Sequence, residues 1–371
     1  MGTSGNAAPV HMRGAGYYSQ NTIGAKAVID AAAELVLEAL ASMRPAQDER
    51  PFVMADFGAA DGGTSLDLMR RAIAAIQRAT PQRQISLTYT DLPHNDFSSL
   101  FRLLHGLLPG RDADPLAQIP GVFTFATGTS FYRQAIPDGA LNFGFSATAM
   151  HWLSRLPTTI ADHVHAVGAN ADEKAMFREV ARADWERILL MRARELAPGG
   201  KLVLANFCED EQGHYLGHAG GANMHDTFAK HWRGLHRRGR ITDAEYRAGT
   251  FMQYYKTVED FTAPFDDANS PVRQAGLSLE KVFTRTTGCP YAAKFRMEGG
   301  DPVSFAAAYL PTLRSWSEST FFGALSPGRS LEARRDIIDA FYAAYEDDVA
   351  AAPADHGMDY VHCFMVIAKA D

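Results

Sequence analysis

Two acids stand at the ends of short apolar runs. Asp56 lies in Phe52-Val53-Met54-Ala55-Asp56-Phe57, followed by Gly58-Ala59-Ala60-Asp61-Gly62-Gly63-Thr64, and Asp91 closes Ile85-Ser86-Leu87-Thr88-Tyr89-Thr90. Glycines after such a run let the backbone approach a ligand closely, and an acid there accepts hydrogen bonds from an ammonium or hydroxyl group. An acid at the end of the second run can hold both hydroxyls of an adenosine-type ribose, with Leu92 against the base. Each segment also has a purely structural reading, because tight strand-to-helix turns use Gly and Asp-Leu-Pro commonly starts a turn. The fingerprints G-x-G-x-x-G and G-x-x-x-x-G-K-[ST] are absent, so neither a nicotinamide cofactor nor a nucleoside triphosphate is favoured. His151-Trp152 places two ring donors side by side, a pair that also occurs in packed cores. His214 and His218 are four apart, with Glu209, Asp210, Glu211 and His225 nearby. Gly213, Gly217, Gly220 and Gly221 interrupt the helix that such ligand spacing requires, so no metal is expected. His163, His165 and the run His236-Arg237-Arg238-Gly239-Arg240 read as solvated surface.

These residues need elements to position them. Ile23, Val28, Ile29, Leu35, Val36 and Leu40 recur at helical spacing from Thr22 to Pro45, which predicts one helix before the first strand. Leu66, Leu68, Met69 and Ile73 resume a helical pattern after the Gly-rich turn. Pro93 and Asn95 mark a loop before Phe97, Leu100, Phe101 and Leu104. Residues 122–125 and 141–145 read as strands, 173–196 as a long helix stopped by Pro198-Gly199-Gly200, and 201–207 as the next strand. Residues 277–283 and 360–367 complete the sheet. This alternation predicts an α/β fold with a mostly parallel sheet covered on both faces and a ligand beyond the carboxyl ends of its strands. Residues 12–208, 271–289 and 356–371 form the expected core, and 209–270 with 290–355 a helical cap over the acceptor site. Residues 1–11, small and polar, read as a flexible leader.

The 371 residues, 46% hydrophobic and 21% charged, suffice for a sizeable core and exclude disorder as the main state. Acidic residues outnumber basic ones 43 to 36, for a net charge of -7, so no broad positive field suits a nucleic acid or an anionic membrane. Neither an export signal nor an apolar run of about 20 residues is present. Cys208, Cys289 and Cys363 sit far apart in or beside apolar segments, which argues against a disulfide framework. The expectation is a cytoplasmic protein that acts on small molecules, with no nucleic-acid or membrane partner.

Taken together, several segments resemble the plant salicylate, benzoate and theobromine methyltransferase family, called SABATH, with this chain as a divergent, non-plant-like member. The matching pieces are Tyr18-Ser19-Gln20-Asn21-Thr22, Ala55-Asp56-Phe57-Gly58, Asp91-Leu92-Pro93-His94-Asn95-Asp96-Phe97, Gly128-Thr129-Ser130-Phe131-Tyr132 and Met150-His151-Trp152-Leu153-Ser154. They occur in the family's order and at roughly its spacings. The resemblance implies a Rossmann-like class I methyltransferase fold with an inserted helical cap, and S-adenosyl-L-methionine as cofactor. It implies cofactor contacts from Tyr18, Thr22, Asp56, Gly58, Thr64, Asp91, Leu92, Ser130 and Phe131. Among these, Thr22 and Asp56 match positions near the methionine part, Asp91 the ribose acid, Leu92 and Phe131 the adenine sandwich, and Ser130 the base edge. His151 and Trp152 match the pair that faces the acceptor carboxylate. Gln20 stands where salicylate-type members carry a Lys, and Ala25, Thr148 and Tyr132 match the substrate pocket.

The chain departs from the family at Thr64, where an Asn is usual, at Gly62-Gly63 in place of Gly-Pro, at Ala25 for a Gln, and at Thr148 for an aromatic residue. Smaller residues at 25 and 148 imply a wider acceptor pocket and an acid other than salicylate. The implied reaction moves a methyl group from the cofactor to the carboxylate of a small, partly apolar acid, giving a methyl ester. Such an acid, of pKa about 4, is ionised at neutral pH and needs no general base. N- or O-methylation of a neutral small molecule and a noncatalytic cofactor-binding sensor are the alternatives. A homodimer is expected because dimers are common among the proteins that this chain resembles.

Overall fold

The computed structural model describes residues 21–44, 50–108, 115–218 and 221–371. Where the hydrophobic spacing predicts one helix there are two, α1 (Ile23–Ala31) and α2 (Ala33–Ser42). The break is confined to Ala32, whose N–H is shared between the carbonyls of Val28 and Ile29 in a tightened turn. Next come β1 (Phe52–Phe57), α3 (Leu66–Ala79), β2 (Ile85–Asp91), α4 (Phe97–Leu104), β3 (Val122–Gly128), β4 (Leu141–Ala147), α5 (Ala171–Glu195) and β5 (Leu196–Glu209). After β5 the chain forms α6 (Met224–Arg237), α7 (Asp243–Ala248), β6 (Lys256–Thr257), α8 (Val258–Asp266), α9 (Pro271–Gln274) and β7 (Leu277–Thr287). It ends with α10 (Pro290–Glu298), α11 (Pro302–Ala324), α12 (Leu331–Ala351) and β8 (Tyr360–Lys369).

The sheet order is β3-β2-β1-β4-β5-β8-β7, with β6 beside β5. Strands β1 to β5 are parallel, and β8 runs antiparallel to both β5 and β7. The mostly parallel α/β sheet read from the alternation is therefore present. Strands β1 and β4 are buried almost throughout, as parallel strands covered on both faces must be. Register brings the functional candidates to one edge: Asp56 lies opposite Tyr89 and Phe145, and Asp91 opposite Gly128.

Helix α5 opens with a reciprocal cap between Asn170 and Glu173 and ends at Glu195, not at Pro198-Gly199-Gly200. The Pro-Gly-Gly segment instead lies inside β5, where Gly199 has a φ of 68°. Leu141 pairs with Leu196 and Phe143 with Lys201, so the extra residues form an irregularity opposite β4. A local stop signal has become a strand bulge because the partner strand continues.

Helices α6, α7, α11 and α12 share an aromatic core. The Phe228 and Tyr345 rings are 5.0 Å apart, Trp232 and Phe321 4.9 Å, and Phe321 and Phe341 4.5 Å. Helix α8 goes elsewhere: Trp185 of α5 donates to the Phe261 carbonyl at 3.1 Å, and Arg178 and Arg182 reach Asp260. Within 209–270, α6 and α7 thus join the later helices, whereas β6 and α8 lie with the sheet layer.

Candidate active site

Beyond the carboxyl ends of the parallel strands lies a cleft of about 270 Å³. Asp56, Gly58, Thr64, Asp91, Leu92, Ser130, Phe131 and Tyr132 all line it. The turn after β1 depends on glycine: Gly58 has a φ of 78°, and a Cβ there would lie 2.5 Å from that of Ala149. The Asp56 carboxylate accepts a hydrogen bond from Ser65 Oγ at 2.6 Å. Burial pushes its pKa up to about 7 despite that bond, and the neighbouring Asp91 charge adds to the shift. A buried acid in this state favours a cationic partner.

Asp91 is held from two sides. Its Oδ2 accepts from the Ala60 N–H and its Oδ1 from the Leu92 N–H, each at 2.7 Å. Asn95 clamps the same residue by donating to the Ala60 carbonyl at 2.7 Å. Burial raises the pKa of Asp91 against these backbone bonds. A carboxylate has about four acceptor positions, so this one, already oriented, keeps acceptor capacity for two vicinal hydroxyls. An acid suited to an ammonium, a second suited to a ribose and the apolar Leu92 and Phe131 together fit S-adenosylmethionine.

The loop carrying Phe131 hangs from a buried ion pair on α5. Arg192 donates to the Phe131 carbonyl at 2.9 Å and the Arg133 carbonyl at 3.0 Å, and it pairs with Glu195 at 2.6 Å. Glu195 in turn accepts from the Ala135 and Ile136 N–H groups. Sequence reasoning missed this pair. Its signal was two charged residues on the stripe that also carries Trp185, Ile188 and Leu189.

Thr148 and Trp152 line both the cleft and a smaller chamber, whose other walls include Thr22, Ala25, His151, Phe207, Gln253, Trp316 and Tyr360. Thr148 has a φ of 56°, a genuine outlier for a β-branched residue, and its N–H bonds the Ala205 carbonyl at 2.9 Å. Strain at the junction of two sites is where such outliers cluster. His151 is buried, and its Nδ1 has no partner among the described residues. Burial, with the charges of His362, Lys256 and His225 adding to it, holds its pKa well below that of an ordinary imidazole, so the ring is neutral at physiological pH.

The segment carrying this pair is bracketed. The Tyr132 hydroxyl lies 2.5 Å from the Trp152 carbonyl oxygen and 3.3 Å from Asp184, and Asp184 accepts from the Ser154 N–H at 2.7 Å. On the other side Leu153 N–H bonds the Met252 carbonyl at 2.9 Å and Tyr254 N–H the His151 carbonyl at 3.0 Å. Asp184, too, escaped the sequence reading, although an acid beside Trp185 on the buried stripe marked it.

Some placements differ from expectation. Thr22 lines the chamber, not the cofactor cleft, whereas Tyr132 lines the cleft and holds Trp152 from behind. Tyr18 and Gln20 lie outside the described residues. The chamber that Ala25 and Thr148 help to wall measures about 30 Å³. Tyr360 packs over α1 so closely that a Cβ on Gly24 would be 2.1 Å from its ring, and Trp316 closes another wall. His163 and His165 are buried, not solvated, because Phe251 N–H pairs with the Val164 carbonyl and draws the later chain over them. His165 stacks on His225 with rings 4.1 Å apart. His214 lies 3.3 Å from Asp210, and among the described residues no three His, Cys, Asp or Glu side chains form a metal-binding group.

A sequence-family model described as SAM dependent carboxyl methyltransferase matches residues 8–270. Loganic acid O-methyltransferase of Catharanthus roseus is 28% identical over 265 residues, which span 66% of this chain and 67% of that protein. Indole-3-acetate O-methyltransferase 1 of Arabidopsis thaliana is 25% identical over 287 residues, 71% of each chain. Methyltransferase FUS9 of Gibberella fujikuroi is 24% identical over 314 residues, 83% of this chain and 80% of that one. A solved structure, loganic acid methyltransferase with SAH, matches with a TM-score of 0.74 at 20% identity and covers 98% of this chain and 99% of that chain, which establishes the likeness of fold.

Proposed function

Because the chain belongs to the SAM dependent carboxyl methyltransferase family, we propose that it methylates the carboxylate of a small, partly apolar organic acid and releases a methyl ester. The observation that carries this reading is the junction at Thr148 and Trp152, where a cleft holding two oriented acids meets a largely apolar chamber containing a neutral imidazole. When bound, S-adenosylmethionine supplies an electrophilic methyl group on a sulfonium centre. Asp56 is suited to its ammonium and Asp91 to its ribose hydroxyls, with Gly58, Thr64 and Ser130 along the same cleft and Tyr18 as a further contact. Burying Leu92 and Phe131 against a base contributes about 1 to 3 kcal/mol each.

The acceptor needs no base, since its carboxylate is already ionised. A neutral His151 and the Trp152 indole, with Gln20, can fix that carboxylate while drawing off less charge than an imidazolium would, which preserves its nucleophilicity. Alignment then dominates: holding nucleophile, methyl carbon and leaving sulfur in line supplies roughly 7 to 11 kcal/mol of the barrier. The proposed cap, 209–270 without β6 and α8 together with 290–355, supplies Trp316 and Gln253 to the chamber over a core of 12–208, 271–289 and 356–371. No helix among the described residues is long and apolar enough to cross a membrane. A cytoplasmic homodimer completes the proposal, and sedimentation equilibrium tests the dimer.

Incubating the protein with methyl-labelled cofactor and a panel of aromatic and aliphatic acids, phenols and amines tests the reaction. Base-labile methyl esters are expected. Labelled ethers or methylamines alone would overturn the carboxyl assignment, and binding of S-adenosylhomocysteine with no product from any acceptor would favour a sensor.

A further inference from the structure

Gln253 is a polar residue in an apolar setting. It is 1% exposed, and its backbone forms an antiparallel bridge with Trp152. The side chain lines the acceptor chamber with His151 and Trp152, against walls that include Ala25, Phe207 and Tyr360. Neither its Nε2 nor its Oε1 has a hydrogen-bond partner among the described residues. His151 Nδ1, in the same chamber, is likewise unpartnered. Buried amides with both ends unsatisfied are rare because each orphaned group carries its full desolvation penalty.

The chemistry of the missing partner follows from the amide. Its nitrogen only donates and its oxygen only accepts, so a complete match must offer both an acceptor and a donor. An ionised carboxylate satisfies Nε2 but has no proton for Oε1. A purely apolar acid satisfies neither. A hydroxyl group does both through one atom.

We infer that Gln253 reads a hydroxyl group on the acceptor, so that the preferred substrates are hydroxylated carboxylic acids. This rests on the carboxyl methyl transfer proposed above. Gln253 is a specificity determinant, separate from the groups that fix the reacting carboxylate.

The test is steady-state kinetics with acids paired by a single hydroxyl: benzoate against 3- and 4-hydroxybenzoate, phenylacetate against mandelate, and butyrate against 3-hydroxybutyrate. At least one hydroxy acid should exceed its parent by about 5- to 150-fold in kcat/KM, the range that one unsatisfied buried polar group commands. In Gln253→Leu that ratio should fall toward one, by loss on the hydroxy acid and gain on the parent, while S-adenosylhomocysteine binding stays within about twofold. If parents match or exceed all their hydroxylated partners, or if the preference survives Gln253→Leu, the inference is overturned while methyl-ester formation still stands. If no acid is esterified, both readings fall. Should the leucine variant fail to fold, the wild-type ratios alone decide.

Discussion

Asp91 combines two tasks, and replacing it by Ala removes both. Its carboxylate orders the turn through the Ala60 and Leu92 N–H groups, and its remaining acceptor capacity is proposed for the ribose. Asp91→Ala should weaken S-adenosylhomocysteine binding by about 10- to 150-fold, the value of charge-assisted hydrogen bonds of about 1.5 to 3 kcal/mol. Calorimetry on the folded variant reads this directly, and unchanged affinity would remove Asp91 from the cofactor site. Asp56 makes a different prediction because its pKa rises from 3.8 to about 7 in the folded chain. The folded state holds this proton in a range where the unfolded chain has lost it. The associated stability is therefore complete below about pH 3.8 and lost as pH rises through about 7. An ammonium ligand favours the ionised form, so binding S-adenosylhomocysteine at pH 6 should release part of a proton. Calorimetry in two buffers of different ionisation heat measures that release, which should vanish in Asp56→Asn. No proton release from the wild type would separate Asp56 from the ammonium.

Helix α5 is the element that sets both halves of the site. Trp185, Ile188 and Leu189 anchor it in the core, while Asp184 and Arg192 on the same buried stripe hold the 151–154 segment and the loop bearing Phe131. Asp184→Ala should lower kcat at least tenfold yet leave S-adenosylhomocysteine affinity within about twofold, because small misalignments cost rate more than binding. A parallel loss of cofactor affinity, with kcat unchanged, would show that the bracket serves the cleft instead. What was legible in the sequence was local. Strand runs, the Gly-rich turn and the order of motifs follow from hydrophobic period and Gly or Pro punctuation. Pro198-Gly199-Gly200 misleads because only the partner strand β4 decides between a helix stop and a bulge. That Gln253 and Trp316 of the expected cap and Tyr360 of the last strand would be the residues to reach the chamber could not be read, since they come from distant stretches that carry no shared periodicity. The burial of His163 and His165 likewise depends on chain that arrives much later.

At the scale of the whole molecule, the chamber proposed for the acceptor is a meeting of α1, the 148–152 segment, β5, the 253 segment, α11 and β8, and burial keeps the imidazoles around it neutral. His151, His165, His225 and His362 are all buried there or behind it, and burial lowers the pKa of each, that of His362 to about 3. Lys256 is also buried, and burial lowers its pKa to about 8 against the attraction of Asp184 and Asp260. Its positive charge disfavours protonation of His151, and losing that charge above pH 8 still leaves His151 neutral, because the imidazole pKa lies far below. With the acceptor ionised as well, single-turnover rates at saturating cofactor should stay within about twofold from roughly pH 6.5 to 9. Rapid-quench measurements check this. A tenfold rise per pH unit, present in both the wild type and Lys256→Met, would indicate an acceptor that must lose a proton, such as a phenol or amine. Below this window the sign reverses for stability. Each depressed imidazole binds its proton in the unfolded chain first, so the stability present above pH 6.5 is lost as pH falls toward the folded-state values. Denaturant midpoints should therefore drop between pH 6.5 and 5 while the rate of the folded fraction holds steady. Loss of rate without loss of midpoint would mean that His151 titrates in the native chamber, and the neutral-donor role would fail.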